Sequence, residues 1–180
     1  MDDNLTQWLN AAAGSSVLLD TPMIAITKFG LPLLVLAVAG QWWVQNDRLR
    51  IRFVALSAGL SFLLGLGINQ IILLFVHRVR PYDAGITHLI IEKSADWSFP
   101  SDHATASLAI VTAFASQGLP WRTLGLSVLA LLICLSRAYV GMHFVTDILA
   151  GAVTGMLGGV AVRCLYRDTS ILNQLITRIL

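Results

Sequence analysis

Charge is scarce in this 180-residue chain. Asp, Glu, Lys and Arg make up 12% of it, where a soluble domain carries about 25%. The coat of a water-soluble globule is missing, and a hydrophobic content of 56% excludes intrinsic disorder. Basic runs are absent as well. Twelve Lys+Arg stand against ten Asp+Glu, a net charge of +2, so no nucleic-acid partner is expected. There are only two cysteines, Cys134 and Cys164, each inside an apolar stretch, which excludes a disulfide framework. The opening Met1-Asp2-Asp3 lacks the positive charge with which a signal peptide begins. No internal repeat is visible. What remains is one domain, 1–180, built of apolar stretches with short polar connections.

Five stretches approach the roughly 20 apolar residues that a spanning helix needs: 24–44, 53–76, 104–119, 124–140 and 144–162. The expected fold class is therefore all-α, a polytopic membrane helix bundle of five spans. Residues 4–19 place Leu5, Trp8, Leu9 and Ala12 at helical spacing and read as an N-terminal amphipathic helix lying at the interface. A short sixth span is the alternative. Charge then orients the chain. Arg48, Arg50, Arg52, Arg122, Arg163, Arg167 and Arg178 fall on one side with only Asp47 and Asp168 as acids, and that side is expected to be cytoplasmic. The loop 77–102 and the turn 137–143 are then expected to face outward. Gly151, Gly155 and Gly159 form a small-residue face, matched by Ser61 and Gly65 in the second span. It reads as packing of the bundle against itself, not as a dimer seam.

Charge at membrane depth is costly and marks candidate function. It gathers at three span ends. The first is His77-Arg78-Val79-Arg80-Pro81, which suits an anion clamp, since the planar guanidinium can hold phosphate oxygens in pairs. It would equally suit snorkelling interface anchors. The second is Phe99-Pro100-Ser101-Asp102-His103. Ser101 or Asp102 caps a helix there, the free N–H groups form an anion site, and His103 stands ready as a proton donor; an ordinary cap with an interfacial histidine is the plainer reading. The third runs from Ser136 to Asp147. His143 and Asp147 are four apart and are expected to share a helix face. The carboxylate then accepts from one ring nitrogen and leaves the other as nucleophile or base, unless the pair is purely structural. A transporter using His103, His143 and Asp147 as ligands fits poorly, because arginines flank all three.

Taken together, Arg80-Pro81, Pro100-Ser101-x-His103 and Ser136-Arg137-x5-His143-x3-Asp147 resemble the three-part signature of the type 2 phosphatidic acid phosphatase superfamily. The resemblance implies that His143 is the nucleophile forming a phosphohistidine, that Asp147 orients it, and that His103 protonates the leaving group and then activates water. It implies that Arg80, Arg137, Ser101 and backbone N–H groups hold the phosphoryl oxygens, with no metal and no other cofactor. Two departures stand out. The lysine usual seven residues before the arginine is Leu73 here, and Arg78 is expected to supply its charge. The glycine usual between Ser and His is Asp102. This acid sits among the phosphate-binding positions and is expected to cap the helix or turn toward Arg78 or Lys93. Arg-x-Arg-Pro with Ser-Phe-Pro-Ser-Asp-His-Ala-Thr looks most like the bacitracin-resistance type of undecaprenyl-diphosphate phosphatase. The implied substrate is a polyprenyl diphosphate, or another lipid phosphate such as phosphatidate, phosphatidylglycerophosphate or a lipid A phosphate, met among membrane lipids on the outer face. The loop 82–97, with Tyr82, His88, Lys93 and Trp97, is expected to select the head group.

Overall fold

A computed structural model describes residues 1–178, and of Leu172 and Arg178 the backbone only, so the Arg178 side chain counted toward orientation lies outside the described part. The described residues form helices and loops with no strand. The helices are α1 (Asp2–Asn10), α2 (Val17–Gly40, extended by a 3-10 turn Gln41–Trp43), α3 (Arg48–Leu73), α4 (Asp102–Ala115), α5 (Pro120–Tyr139), α6 (Val145–Leu165) and α7 (Ile171–Arg178).

Four helices among the described residues are long and apolar enough to cross a membrane: α2 with its extension, α3, α5 and α6. The third expected span, α4, has 14 residues, a length of about 21 Å, and is shorter than the other four; it runs from the end of the bundle where Ser101 meets Asp147 to the end where Gln117 meets Arg50. It is the hub of the bundle, packed on α3, α5 and α6. One of its neighbours accepts it through missing side chains. A Cβ at Gly151 or Gly155 of α6 would strike the carbonyl oxygens of Ser101 and Thr105, so α6 meets the α4 backbone itself. Gly158 does the same toward Ser61 and Gly65 of α3. The glycine face is thus an intramolecular seam.

The amphipathic stretch is shorter than expected. α1 stops at Asn10, Gly14 turns the chain with φ +80, and Ser16 begins α2. Nine residues span about 13.5 Å. Its polar side faces inward: Thr6 and Asn10 are buried while Leu5 and Trp8 are exposed. Lipid can take the apolar side, and the protein takes the polar one.

The basic regions grouped by sequence do meet at one end. Arg50 donates to the Gln117 carbonyl (2.7 Å), Arg52 to the Thr177 carbonyl (2.8 Å), and Arg122 to Gln41 Oε1 (2.7 Å). A core of Leu34, Phe53, Val54, Phe114, Leu126 and Ile133 fills that half. The opposite end carries α1, the long loop between α3 and α4, and the turn between α5 and α6, sealed by Tyr139, Val140 and Met142 against Met23, Ile24, Tyr82 and Ile90.

Candidate active site

The helix ends at that second face converge. α4 begins where α6 begins, because the Ser101 N–H donates to the Asp147 carbonyl (3.0 Å). Between them lies a cavity of about 410 Å³ lined by Gln70, Leu73, Arg80, Trp97, Asp102, His103, Arg137 and His143, among others. All three charged clusters of the sequence contribute to it or to its wall.

His143 lies in the α5–α6 turn, just before α6. The expectation that it shares a helix face with Asp147 is therefore corrected: the histidine is outside the helix, and the carboxylate reaches back to it. Asp147 is in the first turn of α6, where its Oδ2 accepts the Phe144 N–H (2.9 Å), one of the donors a helix start leaves unpaired. The His143 Nδ1 stands 2.8 Å from the Ser98 carbonyl and 3.7 Å from Asp147 Oδ2. The carbonyl is the nearer partner and can only accept, so Nδ1 carries the proton and Nε2 keeps its lone pair. Asp147 acts on the ring as a close charge. Burial holds the imidazole below its ordinary range, at about 4; Asp147 raises it, and Arg137 and Arg80 lower it. His143 is thus a neutral base at neutral pH, with Nε2 3.3 Å from Arg80 Nη1.

The arginines divide into two kinds. Arg80 is buried and braced by carbonyls: Nε donates to Asp96 (2.8 Å), Nη1 to Met142 (3.1 Å) and Nη2 to Trp97 (3.3 Å). Arg137 is 7% exposed, and its buried Nε has no partner; the buried Ser101 hydroxyl has none either. Buried polar atoms are almost always paired; Arg137 lines the cavity, while Ser101 lies behind its wall, between the lining residues Pro100 and Asp102. Ser101 occupies the cap position of α4 but makes no side-chain cap, which leaves that hydroxyl free.

Arg78 behaves differently from expectation. It does not line the cavity. Its Nη1 donates to Asp147 Oδ1 (2.7 Å) and its Nη2 to Asp2 Oδ2 (2.7 Å), with the guanidinium 3.8 Å over the Phe144 ring. Only Val79 separates it from Arg80, yet its partners are Asp147 and Asp2 and not the cavity. The charge expected in place of the missing lysine is not delivered; Leu73 lines the cavity uncompensated. Asp102 does line the cavity, but it turns neither to Arg78 nor to Lys93. Its Oδ1 accepts from Asn69 Nδ2 (2.7 Å), and Lys93 pairs with Asp83 (2.8 Å). From the loop 82–97, Trp97 reaches the cavity. His88 packs against α1 instead, its N–H donating to Asn10 Oδ1 (2.7 Å).

Two functional groups escaped sequence reasoning. Ser98 holds both members of the pair: its carbonyl faces His143, and its hydroxyl donates to Asp147 Oδ2 (2.5 Å). It opens the Ser-Phe-Pro-Ser-Asp-His-Ala-Thr stretch, but nothing there indicates its contact with Asp147. Asn69, buried deep in α3, joins Asp102 to Thr105 (2.8 Å) and accepts from Thr154 (2.8 Å). A polar residue inside an apolar span was a readable signal.

The family model described as the PAP2 superfamily matches residues 54–170. The chain is 35% identical over 143 residues to the undecaprenyl-diphosphatase BcrC of Bacillus subtilis, covering 78% of this chain and 72% of that protein. It is 29% identical over 164 residues to phosphatidylglycerophosphatase B of Bacillus subtilis, covering 83% and 71%. The solved structure of a transmembrane PAP2-type phosphatidylglycerolphosphate phosphatase from Bacillus subtilis shares the fold, with a TM-score of 0.70, 24% identity, and 94% of this chain and 86% of that chain covered.

Proposed function

The chain belongs to the PAP2 superfamily, and from that premise we propose that it hydrolyses undecaprenyl diphosphate to undecaprenyl phosphate and phosphate on the outer face of a bacterial plasma membrane. The observation that carries the reading is the neutral His143, its Nε2 lone pair beside Arg80 in a cavity that Arg137 also lines. In the proposed sequence, Nε2 attacks the terminal phosphorus. An N–P bond forms as the bond to the bridging oxygen breaks, and His103 protonates the departing undecaprenyl phosphate. His103 then takes a proton from water, whose oxygen attacks the phosphohistidine and releases inorganic phosphate. Arg80, Arg137 and Ser101 stabilise the charge on the equatorial oxygens throughout, the work that a metal does elsewhere. Asp147 balances the cationic ring that forms on His143. The head group of a diphosphate, with its extra charge, suits a wall that presents arginines and a long loop at the membrane surface. The relative at 35% identity, an undecaprenyl-diphosphatase, favours that substrate.

The test is phosphate release by the purified chain in detergent, with undecaprenyl diphosphate, phosphatidate, phosphatidylglycerophosphate and lipid A phosphate compared by kcat/KM. Undecaprenyl diphosphate is expected to lead. A clear preference for any other lipid refutes the substrate, and phosphatidylglycerophosphate is the alternative that the second relative raises. Rapid quenching with labelled diphosphate should trap an acid-labile, base-stable phosphoprotein that His143→Ala does not form. Normal turnover by that variant would end the phosphohistidine route.

A further inference from the structure

The polar side of α1 is spent on one place, the start of α6. The first N–H groups of a helix have no partner inside it. Here the Val145 N–H donates to Thr6 Oγ1 (3.1 Å) and the Thr146 N–H to Asp2 Oδ1 (3.2 Å). The Thr146 hydroxyl donates to Asp2 Oδ2 (2.5 Å). Arg78 closes the figure, bonded to Asp2, to Thr146 Oγ1 (2.6 Å) and to Asp147 Oδ1. Burial opposes charge on Asp2, but the bonds from Thr146 and Arg78 outweigh it and hold this carboxyl below its ordinary range. Asp147 is fully buried, and a buried charge of this kind needs a counter-charge. Arg80 is committed to backbone carbonyls and to the cavity, so the counter-charge is Arg78.

We propose that Asp2 and Arg78 are positioning residues that hold Asp147 behind His143, which makes α1 a working part of the catalytic apparatus. Arg78 acts through Asp147, and Asp2 fixes Arg78. The inference rests on the functional reading above, in which His143 Nε2 attacks phosphorus. Its consequence is electrostatic as well as geometric. The charged and titratable groups around His143 are Arg80 and Asp96 from the loop, Arg137 from α5, Asp102 and His103 from α4 and Asp147 from α6. Arg78 shares the charge of Asp147 and so weakens its pull on the imidazole. Without Arg78, that pull acts in full across 3.7 Å, and the ring takes up a proton at higher pH.

The experiment uses the full chain in detergent with Arg78→Met, Arg78→Lys and Asp2→Asn. Arg78→Met is expected to lower kcat about ten- to hundredfold, a fraction of the roughly 10⁴ lost when an orienting aspartate itself is disabled. KM for undecaprenyl diphosphate should stay within about twofold of wild type, because uniform binding is untouched. Arg78→Lys should recover most of the loss, and Asp2→Asn should show a smaller fall in kcat of the same kind. The substrate-free arm is ¹⁵N-imidazole NMR. The chain has four histidines, and the ring pKa of His143 should rise in Arg78→Met and stay or fall in Asp2→Asn. A tenfold rise in KM with kcat held would mean that Arg78 grips the substrate phosphate. Loss without rescue by lysine and without movement of the His143 titration would mean a structural brace only. Either result overturns the proposal. A wild-type chain that releases no phosphate from any lipid would overturn the functional reading instead, and the NMR arm would still decide the relay.

Discussion

Removing one hydroxyl tests how the catalytic pair is held. Ser98 donates to Asp147 Oδ2 at 2.5 Å from a fully buried position, a hydrogen bond to a charged group, worth about 1.5–3 kcal/mol. Ser98→Ala deletes that bond and nothing else nearby. Asp147 keeps the Phe144 N–H and Arg78, and the Ser98 carbonyl, being main chain, still receives the His143 Nδ1 proton. The tautomer therefore survives while the carboxylate loosens. If the whole loss is felt in the transition state, kcat falls by about 10- to 100-fold, at 1.36 kcal/mol per decade. KM should not change, since Ser98 is not among the residues that face the substrate cavity. The assay is steady-state phosphate release from undecaprenyl diphosphate in detergent, with the thermal midpoint recorded alongside. A loss beyond about 10³-fold would show that the hydroxyl touches the reacting phosphate. A rise in KM would place it on the substrate. An unchanged kcat would remove Asp147 anchoring from the account altogether.

Gly155→Val should lower the thermal midpoint and activity together, because the new side chain strikes the Thr105 carbonyl and overpacking of this kind costs about 1–3 kcal/mol; a variant as stable as wild type would contradict the α4–α6 seam. His143 is held at about 4 in the folded chain against an ordinary 6.5, so the unfolded chain binds the extra proton between these values. Stability is then complete above pH 6.5 and falls as pH drops toward 4; the fall in thermal midpoint from pH 7 to pH 5 should be smaller in His143→Gln, and an equal fall in both would refute the assignment. Phosphate release should survive EDTA and be blocked by vanadate, a mimic of the five-coordinate phosphorus; activity lost on chelation and restored by a divalent cation would refute the arginine-based site.

Residue type and spacing made the site legible, and topology decided the rest. Arg80, His103, Arg137 and His143 were readable because a charge at the end of an apolar span is costly unless it is used, and all four line one cavity. The spans were readable for the same reason in reverse. The length of α4 was less readable, because the apolar stretch does not show that the helix stops at Ala115 and sits in the middle of longer ones. Arg78 misled for a different reason. Its proximity to Arg80 in sequence suggested a shared ligand, yet its partners are Asp147, 69 residues away, and Asp2, 76 residues away. No local pattern encodes such a contact, just as none encodes Ser98 with Asp147.

The uncompensated Leu73 then acquires a meaning that the missing lysine alone did not have. With Arg78 occupied behind Asp147, the cavity wall offers Arg80 and Arg137 as its cations, and Asp102 contributes a carboxylate to the same wall. That carboxylate accepts from Asn69, which in turn is bonded to Thr105 and Thr154. In the proposed reaction, repulsion by this carboxylate is expected to keep a phosphoryl group toward Arg80, Arg137 and His143. The leaving oxygen is then expected on the side of His103, next to Asp102 in the first turn of α4. On that reading the acid in the signature acts as a fence, tied through Asn69 to Thr105 of α4 and Thr154 of α6.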